Sequence, residues 1–286
     1  MSFAETVLLG ALAGSTIFLG LPFGRLQVLN ARARVALAMF AVGVLVFLFV
    51  DVFEHAFEIV EEAVTGLKNG DEGAGRVIGL VALLAAGFSA GTIGLASFER
   101  RLRPTGPSNP PMAGGAVDTL TAGDLFRPEL ETRASRTRAL RTGMTIAAAI
   151  GLHNFAEGLA IGVSANAGEI GLATVLIIGF ALHNTTEGFG ILSPLGDVRP
   201  SWRWLTFAGL VAGGPTFVGA MVGYSVSSEP LELAFYALAG GAILYVIGEV
   251  WNGMRRYGHR ELGLAALACG FLAGILTDLV VVYGGG

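Results

Sequence analysis

Read along the chain, apolar residues come in eight long runs with polar segments between them. The runs cover roughly 3–24, 35–57, 75–98, 142–165, 169–192, 203–227, 231–253 and 261–283. Each is close to the 20 or so residues that cross a hydrocarbon layer as an α-helix. The pattern predicts an all-α, polytopic membrane protein with eight transmembrane helices. The first run carries Glu5 and has no basic residue ahead of it, the wrong flank for a secretory signal, so it is read as a span. One long connection, 99–141, contains Pro104, Pro107, Pro110 and Pro111 and lacks a sustained apolar period. It is expected to be a flexible cytoplasmic loop. The chain then divides into 1–98 with spans 1–3, the loop 99–141, and 142–286 with spans 4–8.

Charge placement tests this division independently. Sixteen of the eighteen basic residues fall after spans 1, 3, 5 and 7, while the other side holds only Lys68 and Arg76. The positive-inside rule places the arginine-rich connections in the cytoplasm and both termini outside, as in a multi-pass protein of the plasma (cytoplasmic) membrane. Composition agrees: 53% of residues are hydrophobic and 14% charged, against about 25% charged in an ordinary soluble domain. The 43 glycines suit helices that approach closely within a bilayer. A single cysteine excludes an intrachain disulfide and a cysteine-only metal site. The net charge of −4 gives no reason to expect a nucleic-acid partner. The outer connections are acidic, with Glu58, Glu61, Glu62, Asp71 and Glu72 after span 2, and either form a solvated rim or concentrate cations at an entrance.

The informative residues are ionisable groups inside spans, where a charge costs about 2.5–3.5 kcal/mol even on the most lenient scale. Span 4 carries His153, Asn154 and Glu157; span 5 carries His183, Asn184 and Glu187. Both read H-N-x-x-E-G, ending at Gly158 and Gly188. Positions i and i+4 lie one above the other on a helix face, so each His–Glu pair can grip one ion. The two asparagines face a neighbouring position, where their amide oxygens could serve a second ion. Two imidazoles and two carboxylates suit Zn²⁺, with Fe²⁺, Mn²⁺, Co²⁺ and Cd²⁺ as competitors. These ligands bind metal only when deprotonated, so affinity is expected to fall with pH. The bland alternative is a pair of structural His–Glu contacts. Another is a membrane-embedded metal-dependent hydrolase, although the H-E-x-x-H and G-x-S-x-G signatures are absent.

At these residues the sequence resembles the ZIP family of divalent-metal transporters, in particular its GufA-like prokaryotic branch. Residues 153–158 and 183–188 match that family's fourth- and fifth-span motifs; Ala239–Val246 with Glu249 is similar to its seventh span, and Gly87–Gly91 to its third. The chain departs from the family pattern in three places. Ala156 and Thr186 stand where the motifs carry proline, Gly214 precedes Pro215 where an acid is usual, and Asp51 and His55 exchange the His and acid of span 2. The resemblance implies a 3+5 arrangement of spans, a homodimer, and movement of one rigid helix group against another.

The expected function is transport of divalent metal, Zn²⁺ first, into the cytoplasm through His153, Glu157, His183 and Glu187, with Asn154 and Asn184 beside them. The alternative within transport is a broad-range Fe/Mn/Cd/Zn carrier. No catalytic residue or resident cofactor is expected, since the metal is the cargo. Asp51 and His55, in a stripe with Glu54 and Glu58, are read as entrance ligands or an ordinary interfacial polar helix end, and Glu249 as an exit ligand or a partner of Arg255 or Arg256. Glu99 reads as a charge partner of the arginines that follow it, His259 as a solvated turn residue, and Cys269 as a small packing residue.

Overall fold

The computed structural model describes residues 1–25, 30–102, 122–167, 183–225, 228–255 and 257–283. Regular structure among them is helical throughout. Helix α1 (Phe3–Ser15) starts on a capping box, Ser2 accepting from the Glu5 amide while the Glu5 carboxylate accepts from the Ser2 amide. The chain breaks step at Thr16 and continues as Ile17–Gly20 and a 3₁₀ segment, Leu21–Arg25. Helix α2 (Ala31–Asn69) is capped by Asn30 at its start and by left-handed Gly70 at its end. Helix α3 consists of Ala74–Ser89, a π-helical stretch Ala90–Gly94, and Leu95–Leu102. Then follow α4 (Ala122–Ala167), α5 (residues 183–192), α6 (Trp202–Ser225), α7 (Glu229–Arg255) and α8 (Arg260–Tyr283).

Among the described residues seven stretches are long and apolar enough to cross a membrane: α1 with its continuation to Phe23, and parts of α2, α3, α4, α6, α7 and α8. The fifth expected span lies largely outside the described residues; of it, 183–192 is helical. The structure differs from the expected flexible loop at 99–141: α3 runs on to Leu102, and α4 begins at Ala122. The intervening residues, 103–121, lie outside the described residues. The segment 122–141 is polar and rich in both charges, so it shows no apolar stripe, yet it continues the apolar helix behind it without interruption. Neither does Ala156 interrupt α4, consistent with the loss of the motif proline there.

Packing sorts the helices into two groups. In one, α6 lies against α4 and α1, and α5 joins α1 through Gly188 against Gly20. In the other, α2 lies against α8 and α7, and α3 against α7. Within each group backbones touch at paired glycines. A Cβ on Gly14 would lie 2.1 Å from the Gly213 carbonyl oxygen, and one on Gly213 2.1 Å from that of Gly14. Gly158 and Gly219 seat α4 on α6 in the same way. In the second group Gly91 faces Gly241, where the π-helical stretch of α3 meets α7, and Gly43 and Gly270 join α2 to α8. Among the described residues, these close helix-to-helix approaches all fall within one group or the other. Between the groups α4 meets α7 through side chains, with the Phe155 and Phe235 rings 4.5 Å apart.

A polar clasp also crosses that boundary. Glu99 is buried near the end of α3, where its carboxylate accepts from Thr142 of α4 (3.2 Å) and from the Tyr245 hydroxyl of α7 (3.1 Å). Beyond the charge pairing expected of it, the Glu99 carboxylate is thus held by two hydroxyls from other helices. Tyr245→Phe removes a donor from a buried carboxylate and is expected to destabilise the protein by about 1–3 kcal/mol. A thermal-unfolding midpoint in detergent unchanged from wild type would count against the clasp. Cys269, expected to pack, is exposed instead.

Candidate metal site

Two breaks in helical regularity build the site. At the first, Thr16 ends α1, and the Ala13 carbonyl accepts from the Thr16 amide and hydroxyl and from Nδ2 of Asn184, 3.0 Å away. At the second, Pro215 inside α6 withholds the helical donor from the Val211 carbonyl. One residue on, the Ala212 carbonyl accepts from Nδ2 of Asn154 at 3.0 Å. Each motif is thus pinned by its asparagine to a backbone carbonyl of a neighbouring helix, α4 to α6 and α5 to α1. Sequence patterns gave the asparagines a possible ligand role but could not show this anchoring, because the acceptors are main-chain atoms on distant segments.

With Nδ2 committed in this way, the Oδ1 atoms of Asn154 and Asn184 are buried without a hydrogen-bond partner. The same holds for both ring nitrogens of His153 and His183 and both carboxylate oxygens of Glu157 and Glu187. All six motif residues are buried. Buried polar atoms are nearly always paired, so this many without a hydrogen bond on six residues mark a candidate binding site. Nε2 of His153 stands 3.2 Å from Oε1 of Glu157 and 3.8 Å from Oε1 of Glu187, so the α4 and α5 motifs converge. His183 lies within electrostatic reach of both His153 and Glu157, its ring 6.3 Å from that of Phe47 on α2. Among the described residues, no three His, Cys, Asp or Glu side chains stand close enough together to hold a metal ion as they are placed.

The flanking candidates separate. Asp51 is within electrostatic reach of His55, Asp278, His153 and Glu157, and Asp278 also of His183. Asp278 on α8 joins this array only through the fold. His55 is exposed; its Nδ1 is 2.9 Å from the Asp51 carbonyl and its ring 5.6 Å from Tyr236. Glu249 lies away from the cluster, fourteen residues or about 20 Å along α7 from Phe235, which stacks on α4. In the acidic rim, Arg76 bridges Glu72 and Glu229, reaching both Glu229 oxygens at 2.7 Å and tying the start of α3 to that of α7.

A family model described as ZIP Zinc transporter matches residues 126–247, which contain both motifs. The zinc transporter ZupT of Corynebacterium efficiens is 30% identical over 223 residues, covering 74% of this chain and 72% of that protein. The chain belongs to the ZIP family. Other ZIP relatives include ZupT of Corynebacterium glutamicum, 28% identical over 85% of this chain and 86% of its own length. Zinc transporter GufA of Myxococcus xanthus is 35% identical over 46% of this chain and 53% of its own. ZIP membership makes the protein a multi-pass membrane transporter and not an enzyme, which disposes of the hydrolase alternative.

Proposed function

We propose that this ZIP protein carries divalent metal, zinc in the first place, into the cytoplasm through His153, Glu157, His183 and Glu187. The observation that carries this reading is the set of buried, unpartnered nitrogen and oxygen donors where α4 and α5 converge. Imidazole and carboxylate together match zinc and leave iron, manganese, cobalt and cadmium as weaker candidates. Metal loses water at the acidic outer mouth, passes Asp51, and enters the cluster, where the anchored asparagines turn their Oδ1 atoms toward a second position. The fifth apolar run completes eight spans in a 3+5 arrangement, and the arginine bias puts both termini outside the plasma membrane. Release follows when the α1–α4–α5–α6 group shifts against the other as a body. The glycine contacts that lock each group internally, and the side-chain contacts between them, support that division. The protein acts as a homodimer.

Radiolabelled Zn²⁺ uptake into proteoliposomes tests this reading, with Glu157→Ala and His183→Ala compared with wild type at matched folding and orientation. Saturable uptake lost in both variants is the expected result. Tight zinc binding without uptake by a correctly folded wild type would sink the carrier, and undiminished uptake in both variants would move the path elsewhere.

A further inference from the structure

At the arginine-rich end of the second group, α7 turns into α8 through a tight connection in which Gly258 and His259 both have positive φ, 72° and 56°. A left-handed histidine is uncommon and holds the turn narrow. Beside it opens a cavity of about 420 Å³ between α2, α7 and α8. Its walls are of two kinds. Val35, Met39, Trp251 and Leu264 make an apolar side, on which Trp251 and Leu264 are themselves exposed. Arg255 and Arg260 make a cationic side, one from the last turn of α7 and one from the first of α8. Neither arginine is ion-paired to a described residue. A second hollow, lined by Arg32, His259, Arg260, Glu261 and Leu262, lies beside it and mixes both charges.

This arrangement has no part in the metal path, which lies between α4 and α5. A cavity with guanidinium groups at its mouth and an apolar wall ending in an interfacial tryptophan matches an amphiphile with an anionic head. Arginine presents a fork that fits phosphate oxygens in pairs, and basic pockets between helices at the cytoplasmic face recognise lipid phosphates. Tryptophan belongs at the headgroup level. We propose that the cavity between α2, α7 and α8 binds an anionic phospholipid, its phosphodiester on Arg255 and Arg260 and its upper acyl chain along Met39, Trp251 and Leu264. The assignment of this end to the cytoplasmic leaflet rests on the orientation read above. The lipid would brace the second group at the end opposite the acidic mouth.

The experiment uses the full-length protein, without metal, in phosphatidylcholine nanodiscs containing a few mole per cent phosphatidylglycerol. Native mass spectrometry after release reads the retained lipid. Phosphatidylglycerol is expected to be retained at least about tenfold over its share, and Arg255→Gln/Arg260→Gln to lose that preference. Equal retention of both lipids, or a preference unchanged in the double variant, overturns the proposal. Glycerol 3-phosphate at millimolar concentration competing the lipid away would also overturn it, by reducing the site to one for small anions. If the double variant does not fold, phosphatidylglycerol with brominated chains supplies a second readout. It should quench wild-type fluorescence more than brominated phosphatidylcholine does, and the excess should vanish in Trp251→Phe; no excess in wild type overturns the proposal. Because retention is read without metal, its failure is distinct from a failure of zinc uptake.

Discussion

Glu187→Gln is expected to cut zinc uptake by two orders of magnitude or more while leaving the protein at least as resistant to heat. Glu187 is 1% exposed, and neither of its carboxylate oxygens has a hydrogen-bond partner. Its polar neighbours are the His153 ring, 3.8 Å away, and the Asn154 side chain. Burying a carboxylate in that state is costly, and an amide of the same shape relieves the cost, so stability does not fall. The same change replaces an anionic metal ligand with a weak neutral one. Changing an outer-shell partner alone typically costs about 10–100-fold in metal affinity, and a direct ligand should cost more. Initial rates of uptake and the thermal-unfolding midpoint, measured on one preparation, check both halves. Uptake within about threefold of wild type would remove Glu187 from the path; a lower midpoint would mean that the carboxylate serves the fold.

The second large effect is on assembly. Gly213→Val is expected to prevent recovery of folded protein, whereas Gly214→Val, one residue along, is tolerated. A Cβ at Gly213 would sit 2.1 Å from the Gly14 carbonyl oxygen, and no rotamer relieves a clash with backbone. At Gly214 nothing lies within 4 Å of the added atom. Overpacking a core commonly costs about 1–3 kcal/mol where side chains can shift. Here two helix backbones must separate, and α1 carries with it the Ala13 carbonyl that anchors Asn184. Monodisperse yield by size-exclusion chromatography distinguishes the two variants. An equal loss in both would show that the clash is absorbed.

The sequence was most legible where hydrocarbon imposes a rule. Seven of the eight apolar runs correspond to described helices of spanning length, because a bilayer demands about 20 apolar residues whatever the neighbours are. The paired motifs stood out for the same reason: a histidine and an acid in mid-span need a cause. Polar positions were harder to read. The start of α4 at Ala122 was missed because a sequence of mixed charge has no apolar stripe. Glu99 looked like part of a charge run because its hydroxyl partners, Thr142 and Tyr245, are 43 and 146 residues distant. The reciprocal glycines could be counted but not paired, since a small residue says only that something comes close. The asparagine anchors were invisible because every residue offers the same main-chain carbonyl, and the breaks at Thr16 and Pro215 lie only near the two that are used.

The 46-residue helix α4 makes the candidate site and the arginine-rich segment before it parts of one rod. About 20 of those residues precede the expected membrane span, a rigid arm of about 30 Å. A tilt of only about 10° at the membrane surface would swing the tip of that arm by about 5 Å. His153 and Glu157, close to the pivot, would shift far less than the far end does. A probe attached near Ala122 would therefore register the transport cycle with a gain that no label beside the metal could match.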